Sequence, residues 1–214
     1  MKDKMNRIFL LLIFYSGLSF SQNYLDDGNA LMSENRFSEA ESTFRKGLKQ
    51  EPENLIFNSQ LALTLIKQKK NDEAERVIVD ILKKDSIFTA ALWYGGINNF
   101  SKKKPDFRKA ISYFEKSYNL IDKNSKQYFA VNFYIGKSYQ NLLYTEGLSY
   151  DEVTRMIETY KRYIELQPDA ENVINVKGFV KKIEDNRPGK NVGKWVITTN
   201  QNAVEVIKKE LNER

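Results

Sequence analysis

The sequence predicts an all-α fold in which antiparallel helix pairs stack into a solenoid. Two observations predict it. Small residues recur every 34 positions at Gly28, Ala62 and Gly96, and an Ala within an acidic helical turn recurs at the same interval, at Ala40 and Ala74. The segments that carry these markers have the spacing of amphipathic helices. A fixed period of this length is typical of helical repeat proteins.

The N-terminal residues 1–21 have the pattern of a secretory signal peptide. A basic start is followed by an apolar run that begins at 8–15, and the small residues Ser19 and Ser21 stand at the positions that signal peptidase requires. The apolar stretch has about 13 residues, which is short for a bilayer core of roughly 30 Å. We expect cleavage after Ser21, with retention as an uncleaved anchor as the alternative.

The repeat domain is predicted over 22–185 and begins with two regular repeats. The second helices of these two repeats place apolar or small residues on one face at matching positions, which are Ala40, Phe44, Gly47 and Leu48, then Ala74, Ile78, Ile81 and Leu82. The small residue of each first helix lets a neighbouring helix approach closely. Four repeats are expected in all, over 22–54, 55–88, 89–124 and 125–168.

These residues resemble the tetratricopeptide repeat family, whose unit has 34 residues in two helices. The Leu-Gly-x-x-Tyr core of the family's first helix is matched by Ile135 to Tyr139, and its second helix by Ala40, Phe44 and Pro52. The resemblance covers roughly residues 22–168. It implies a right-handed superhelix of about four repeats with a concave face that binds protein segments.

The third and fourth repeats are longer than the first two. Two extra residues fall near Lys102–Pro105, and a longer connection, 143–150, precedes the second helix of the fourth repeat. Ser149 and Glu152 predict a capping box where that helix begins. The register of the third repeat stays open by one residue, because two glycines are adjacent at 95–96.

A capping helix is predicted over 169–185, with Asp169 as its N-cap, to cover the exposed face of the last repeat. The C-terminal tail, 186–214, contains a β-branched stretch at 195–199 that fits a short strand or an extended arm. A weak amphipathic helix follows, with Ala203, Val204, Ile207 and Leu211. We expect the tail to pack on the end of the repeat domain. The alternative is that it reaches into a partner or into the protein's own groove.

The composition excludes most catalytic chemistry. Among 214 residues there is no Cys and no His, so disulfides, Cys/His zinc sites and histidine-based catalysis are impossible. Acidic pairs such as Asp72-Glu73 and Asp151-Glu152 lie at helix starts, where they complement the helix dipole. We therefore expect a non-catalytic protein without a cofactor or a metal, and an enzyme that uses carboxylates is the remote alternative.

The first helices of the repeats carry the predicted binding site. In the resembling family these helices line the concave groove, and the corresponding positions here are Asn29, Gln60, Leu63, Trp93, Tyr94, Ile97, Phe133, Tyr134, Lys137 and Gln140. A clamp for C-terminal carboxylates, known in part of the family, is not expected, because Leu25, Ala90 and Tyr94 replace its basic residues. Aromatic residues of this kind dominate binding energies at interfaces.

The expected partner is a protein or peptide segment. A glycan or peptidoglycan ligand that stacks on the aromatic rings is the alternative, and self-association is a third outcome. The net charge of +6 selects no partner by itself, and export argues against nucleic acid. Lys102, Lys103 and Lys104 suggest peripheral contact with an anionic membrane as an alternative to a solvated turn. We expect a periplasmic protein, with cell-surface or secreted locations as alternatives.

Overall fold

The computed structural model describes residues 23–199, and every regular element within that range is a helix. The predicted all-α class is thereby confirmed. The signal peptide expected at 1–21 and the amphipathic stretch expected at 203–211 lie outside the described residues. The helices are α1 (residues 23–33), α2 (Phe37–Gln50), α3 (Leu55–Lys67), α4 (Asn71–Lys84), α5 (Thr89–Ser101), α6 (Phe107–Tyr118), α7 (Lys126–Thr145), α8 (Tyr150–Leu166) and α9 (Val173–Asn186).

The chain divides inside α5 into two compact units, Met1–Tyr94 and Gly95–Arg214. In the N-terminal unit, α2 packs against α3 and α3 packs against α4. In the C-terminal unit, α7 packs between α6 and α8, and α8 packs against α9. Over 23–199, none of the helices combines the length and the apolar character that a membrane span requires.

Helix starts in both units follow from local sequence. Asn54 caps α3 by accepting hydrogen bonds from the backbone N–H groups of Ile56 and Phe57. The predicted capping box of α8 is confirmed, since the Ser149 hydroxyl accepts from the Glu152 N–H and the Glu152 carboxylate accepts from the Ser149 N–H. Such caps satisfy backbone donors that have no partner inside the helix, and each is worth about 1 kcal/mol.

Glycines in the first helices make room for rings from the second helices. A Cβ on Gly28 would stand 2.3 Å from the ring of Phe44, and one on Gly96 would stand 2.3 Å from the ring of Phe114. Gly136 faces Tyr160 in the same way, at 2.7 Å. The small residue therefore accommodates an aromatic side chain rather than a neighbouring backbone. Because Gly96 faces Phe114 as Gly28 faces Phe44, Gly96 is the equivalent of Gly28, and the register of the third repeat is settled.

A network of charges ties α2 to the turn before α4. The Glu41 carboxylate accepts hydrogen bonds from Arg45 Nε at 2.9 Å, from Gln68 Nε2 at 2.8 Å and from Lys70 Nζ at 2.7 Å. Burial raises the pKa of Glu41, but the hydrogen bonds from Lys70, Gln68 and Arg45 outweigh it and lower that pKa to about 2. The side chain is 13% exposed, so the network is shielded from much of the solvent.

Replacing Glu41 should therefore produce a pH-dependent loss of stability. We expect Glu41→Gln to lower the free energy of unfolding at pH 7 by about 1–2 kcal/mol, a value discounted for partial screening by solvent. The lowered pKa means that the ionised carboxylate stabilises the fold above pH 4.5 and loses this effect as the pH falls towards 2. Urea unfolding should show that the difference in the free energy of unfolding between Glu41→Gln and wild type is smaller at pH 3 than at pH 7. An equal gap at both pH values would contradict the assignment, and Glu53→Gln, whose side chain is 80% exposed, is the control.

The last helix begins later than the sequence predicts. It runs from Val173 to Asn186, whereas 169–185 was expected. The Ala170 N–H donates to the Gln167 carbonyl and the Val173 N–H donates to the Ala170 carbonyl, so successive turns occupy the first residues after Pro168. Asp169 is therefore not the N-cap. That position belongs to Asn172, whose side-chain oxygen accepts a hydrogen bond from the Tyr163 hydroxyl at 2.6 Å.

Candidate functional site

The face of α7 that remains partly exposed carries most of the predicted site in the C-terminal unit. Phe133, Lys137 and Gln140 follow one another at spacings of four and three residues and lie on one side of the helix, and Tyr134 lies beside them. All four side chains are half-buried. Tyr144, seven residues after Lys137, extends the same face. Tyr144 was not among the residues predicted from the sequence, although the helical spacing from Lys137 indicates that it lies on this face. We call these five residues the α7 face.

The aromatic side chains of the α7 face are held by rings on both neighbouring helices. The ring of Phe133 lies 5.0 Å from that of Tyr163 on α8. The ring of Tyr134 stacks on that of Phe114 of α6, with centroids 5.5 Å apart and planes at 16°. Phe133 and Tyr134 also meet edge to face at 5.8 Å. Tyr134 also meets Phe100 of α5 edge to face at 5.0 Å. Both Phe133 and Tyr134 are held by several neighbouring rings and keep part of their surface exposed, so little side-chain entropy would be lost on binding.

The polar groups of the α7 face form a short chain. The Tyr160 hydroxyl donates to Gln140 Oε1 at 2.6 Å, and Lys137 Nζ donates to the same oxygen at 3.3 Å. Burial raises the pKa of Tyr160, with a smaller contribution from Tyr144, so its hydroxyl remains a donor at neutral pH. Within residues 23–199, Lys137 forms no ion pair with a carboxylate. It is a half-buried cation about one helical turn from Phe133 and Tyr134.

The N-terminal unit presents five of the predicted residues on three helices. Asn29 of α1 is exposed, while Gln60 and Leu63 of α3 lie one turn apart and are half-buried. Trp93 and Tyr94 of α5 are half-buried too, and burial raises the pKa of the Tyr94 hydroxyl. Ile97, also on α5, belongs to the C-terminal unit and is half-buried. All ten predicted residues thus keep exposed surface, and their role in binding stays a prediction.

The lysines of the α5–α6 connection differ from one another. Lys102 Nζ donates to Asn99 Oδ1 at 2.9 Å and is half-buried, whereas Lys103 and Lys104 are exposed. The Asp106 N–H donates to the Asn99 carbonyl, so Asn99 fixes the turn from both sides. Lys102 has a structural contact, and membrane contact by the three lysines remains a prediction.

The described part of the tail packs on the C-terminal unit as an extended arm. Trp195 and Leu148 exchange backbone hydrogen bonds at 2.8 Å in an isolated antiparallel bridge, and the Ile197 N–H donates to the Leu143 carbonyl at 2.9 Å. The Trp195 and Ile197 side chains cover the core between α7, α8 and α9. The described part of the tail thus contacts the repeat domain through Trp195 and Ile197, and 195–199 is an extended arm rather than a strand. That the whole tail packs on the repeat domain stays a prediction.

Arg187 fixes the start of this arm, a role that no local sequence pattern indicates. Its guanidinium lies 3.5 Å from the centroid of the Tyr150 ring and donates to the Tyr150 carbonyl and the Thr154 hydroxyl. The arm closes a small depression lined by Leu148, Val153, Val192 and Trp195, among others. The only local signal in the sequence is the pair Pro188 and Gly189, which break helices and favour turns. They indicate a turn but do not determine the direction of the chain after it.

Several carboxylates of the C-terminal unit are engaged in structural contacts. Glu115 forms two hydrogen bonds of 2.8 Å with Arg155, which joins α6 to α8. Glu152 serves the capping box and pairs with Arg108 at 2.7 Å. Burial raises the pKa of Glu152, but the Ser149 backbone and Arg108 outweigh it and lower that pKa, so the group stays ionised. Over the described residues, no group of three acidic side chains is arranged to hold a metal ion.

Comparison with known proteins places these features in a recognised fold. The tetratricopeptide repeat family model matches residues 31–86. The structure is similar to that of the MamA protein, with a TM-score of 0.61 and 19% identity over 90% of this chain and 91% of that chain. It is also similar to residues 41 to the end of MamA from Desulfovibrio magneticus RS-1, with a TM-score of 0.63 and 14% identity over 90% and 94% of the two chains.

A third similar structure is PilF of Pseudomonas aeruginosa, with a TM-score of 0.64 and 14% identity over 79% of this chain and 71% of that chain. No curated protein matches this chain in sequence. At these identities the likenesses show the fold, an all-α helical solenoid with tetratricopeptide-like repeats. The function has to be argued from the residues.

Proposed function

We propose that this protein is a non-catalytic interaction scaffold of the bacterial cell envelope that binds a segment of a protein partner on the first helices of its repeats. The observation that carries the proposal is the α7 face. It combines the partly exposed rings of Phe133 and Tyr134, which neighbouring rings hold in place, with Lys137, a cation that has no carboxylate partner within residues 23–199. Rigid aromatic anchors beside a polar group are typical of protein-binding surfaces.

The chemistry of the α7 face favours a peptide segment over a sugar. A sugar ring stacks on an open aromatic face, but one face of the Tyr134 ring is covered by Phe114, and Phe133 is flanked by Tyr163. The ring edges and partly covered ring faces that remain exposed on Phe133 and Tyr134 fit the apolar side chains of a peptide instead. Lys137 would pair with a carboxylate of the segment, and the amide of Gln140 would orient its backbone.

The envelope location is part of the proposal and depends on the sequence of residues 1–21. The basic start, the apolar run and the small residues before position 22 support export. The absence of Cys suits an oxidising compartment, where a free thiol would be prone to side reactions.

Reversing the charge of Lys137 should weaken partner binding without unfolding the protein. We expect Lys137→Glu to raise the dissociation constant about tenfold, which corresponds to about 1.4 kcal/mol. The matched control is Lys177→Glu, which makes the same charge change at an exposed position of α9. The measurement is retention of envelope proteins by each immobilised variant, followed by titration of the retained partner. Equal affinities for the two variants would remove the α7 face from the proposal.

A further inference from the structure

Two tyrosines meet where α6 is followed by α7. Tyr118 is the last residue of α6, and Tyr128 lies in the first turn of α7. Their hydroxyl groups are hydrogen bonded at 3.0 Å, while the ring centroids are 5.3 Å apart and the ring planes are inclined at 38°. Because the oxygens are closer than the centroids, the rings converge towards their hydroxyl ends. The facing carbons ortho to the two hydroxyls are therefore closer to each other than the ring centres are.

The surrounding chain holds both rings in this arrangement. Tyr128 is only 4% exposed, and Tyr118 is half-buried. The connection between the two helices is ordered, because the Ile121 N–H donates to the Ser117 carbonyl and the Ser125 hydroxyl accepts from the Tyr128 N–H. A reaction between the rings would thus need little movement of either side chain, and such positioning accelerates a coupling step.

Two arginines of α8 add positive charge beside the rings. The guanidinium carbon of Arg155 lies 4.9 Å from the centroid of the Tyr118 ring, and that of Arg162 lies 5.8 Å from the centroid of the Tyr128 ring. The hydrogen bond from Tyr118 lowers the pKa of the Tyr128 hydroxyl, burial opposes this effect, and Arg162 and Lys123 lower the pKa further. A phenolate loses an electron more readily than a phenol, so these contacts favour oxidation of Tyr128.

We infer that Tyr118 and Tyr128 form a site of oxidative modification, at which a peroxide couples the two rings to dityrosine. Each phenol loses one electron and one proton and becomes a tyrosyl radical. The two radicals form a carbon–carbon bond between their ortho carbons, and the hydrogen on each of these carbons moves to the oxygen, which restores both phenols. Hydrogen peroxide takes up the two electrons and the two protons, its O–O bond breaks, and two molecules of water leave. A haem peroxidase mediates the one-electron steps and is regenerated.

The coupling gives this chain a covalent crosslink of a kind that its composition otherwise excludes. The chain has no Cys, so no disulfide joins α6 to α7. A bond between residues 118 and 128 closes a short loop and restricts the unfolded chain, as a disulfide does. The site lies outside the α7 face and needs no partner, so this inference is independent of the proposed function.

Oxidation of the purified full chain with hydrogen peroxide and a catalytic amount of haem peroxidase tests the inference. Trypsin then separates the two tyrosines into the peptides 117–123 and 127–137, because lysines stand at positions 116, 123, 126 and 137. Mass spectrometry of the monomer identifies the joined peptides by the loss of two hydrogen atoms, and fragmentation distinguishes Tyr128 from Tyr134. The variants Tyr118→Phe and Tyr128→Phe remove the site, and Tyr113→Phe makes the same change elsewhere on α6.

We expect the link between Tyr118 and Tyr128 to be at least about ten times more abundant than any other tyrosine–tyrosine link in the monomer. It should be lost in Tyr118→Phe and in Tyr128→Phe and should form at the wild-type rate in Tyr113→Phe. The inference is overturned if this link is no more abundant than the others. Tyrosine links found mainly between two chains would also overturn it, because they would reflect chance encounters of exposed rings.

Discussion

Gly96→Ala is expected to lower the free energy of unfolding by about 2–3 kcal/mol, because the added methyl group would overpack a filled site. Its Cβ would stand 2.3 Å from Cε1 and 2.4 Å from Cδ1 of Phe114, a side chain with no exposed surface. The ring cannot move away without displacing Tyr134, which stacks on it at 5.5 Å. Urea unfolding followed by far-UV circular dichroism gives the change.

Two further variants separate overpacking from the ordinary effect of removing a glycine. Gly178→Ala makes the same substitution in α9, where a Cβ would have nothing within 4 Å, and it should raise stability by up to about 1 kcal/mol. Adding Phe114→Ile to Gly96→Ala should recover part of the loss, because the second repeat uses that combination at Ala62 and Ile78. Gly96→Ala and Gly178→Ala variants with the same stability would contradict the packing account.

Arg187→Ala should detach the tail arm from the C-terminal unit. The variant loses two hydrogen bonds from a charged donor and a cation–π contact, and we expect it to lower the free energy of unfolding by about 2 kcal/mol. Arg187 Nε is buried without a hydrogen-bond partner among the described groups, which costs stability in the wild type. Because the variant removes this cost, the expected loss of stability is not larger. The arm should also become accessible, so proteases should cut within 187–199 in the variant.

Lys190→Ala is the matched control for Arg187→Ala. Lys190 Nζ lies 5.3 Å from the centroid of the same Tyr150 ring but is exposed, and we expect a change below about 0.5 kcal/mol. In a Trp93→Phe background the fluorescence of Trp195 reports the state of the arm. A red shift is expected with Arg187→Ala and none with Lys190→Ala. The same spectrum for both variants would show that the bridge to Leu148 holds the arm without Arg187.

The repeat architecture could be predicted because its signals are local and recur. The capping box at Ser149 depends on residues within one helical turn of each other. The small residues Gly28, Ala62 and Gly96 repeat one local pattern at a fixed interval of 34 positions. Four of the five residues of the α7 face were predicted with the help of the family resemblance, which are Phe133, Tyr134, Lys137 and Gln140. Their exposure could be expected from helical spacing alone.

The features that the sequence did not predict depend on contacts between distant residues. Stacking of Tyr134 on Phe114 joins two helices, and the bridge from Trp195 to Leu148 spans a long stretch of chain. The late start of α9 has a similar cause, because Asn172 is held by Tyr163 on the preceding helix. Local propensity favoured Asp169 as the cap, and the tertiary contact outweighed it.

The binding of a partner segment to the α7 face is the central claim, and photo-crosslinking tests it most directly. A photoreactive amino acid is placed at position 137 on the α7 face and, in a second variant, at position 177 on α9. After irradiation in envelope extract, mass spectrometry maps the crosslinked peptides. We predict that position 137 yields peptides from one amphipathic segment of a partner protein and that position 177 does not. The same peptides from both positions, or partner peptides from position 177 alone, would contradict the account.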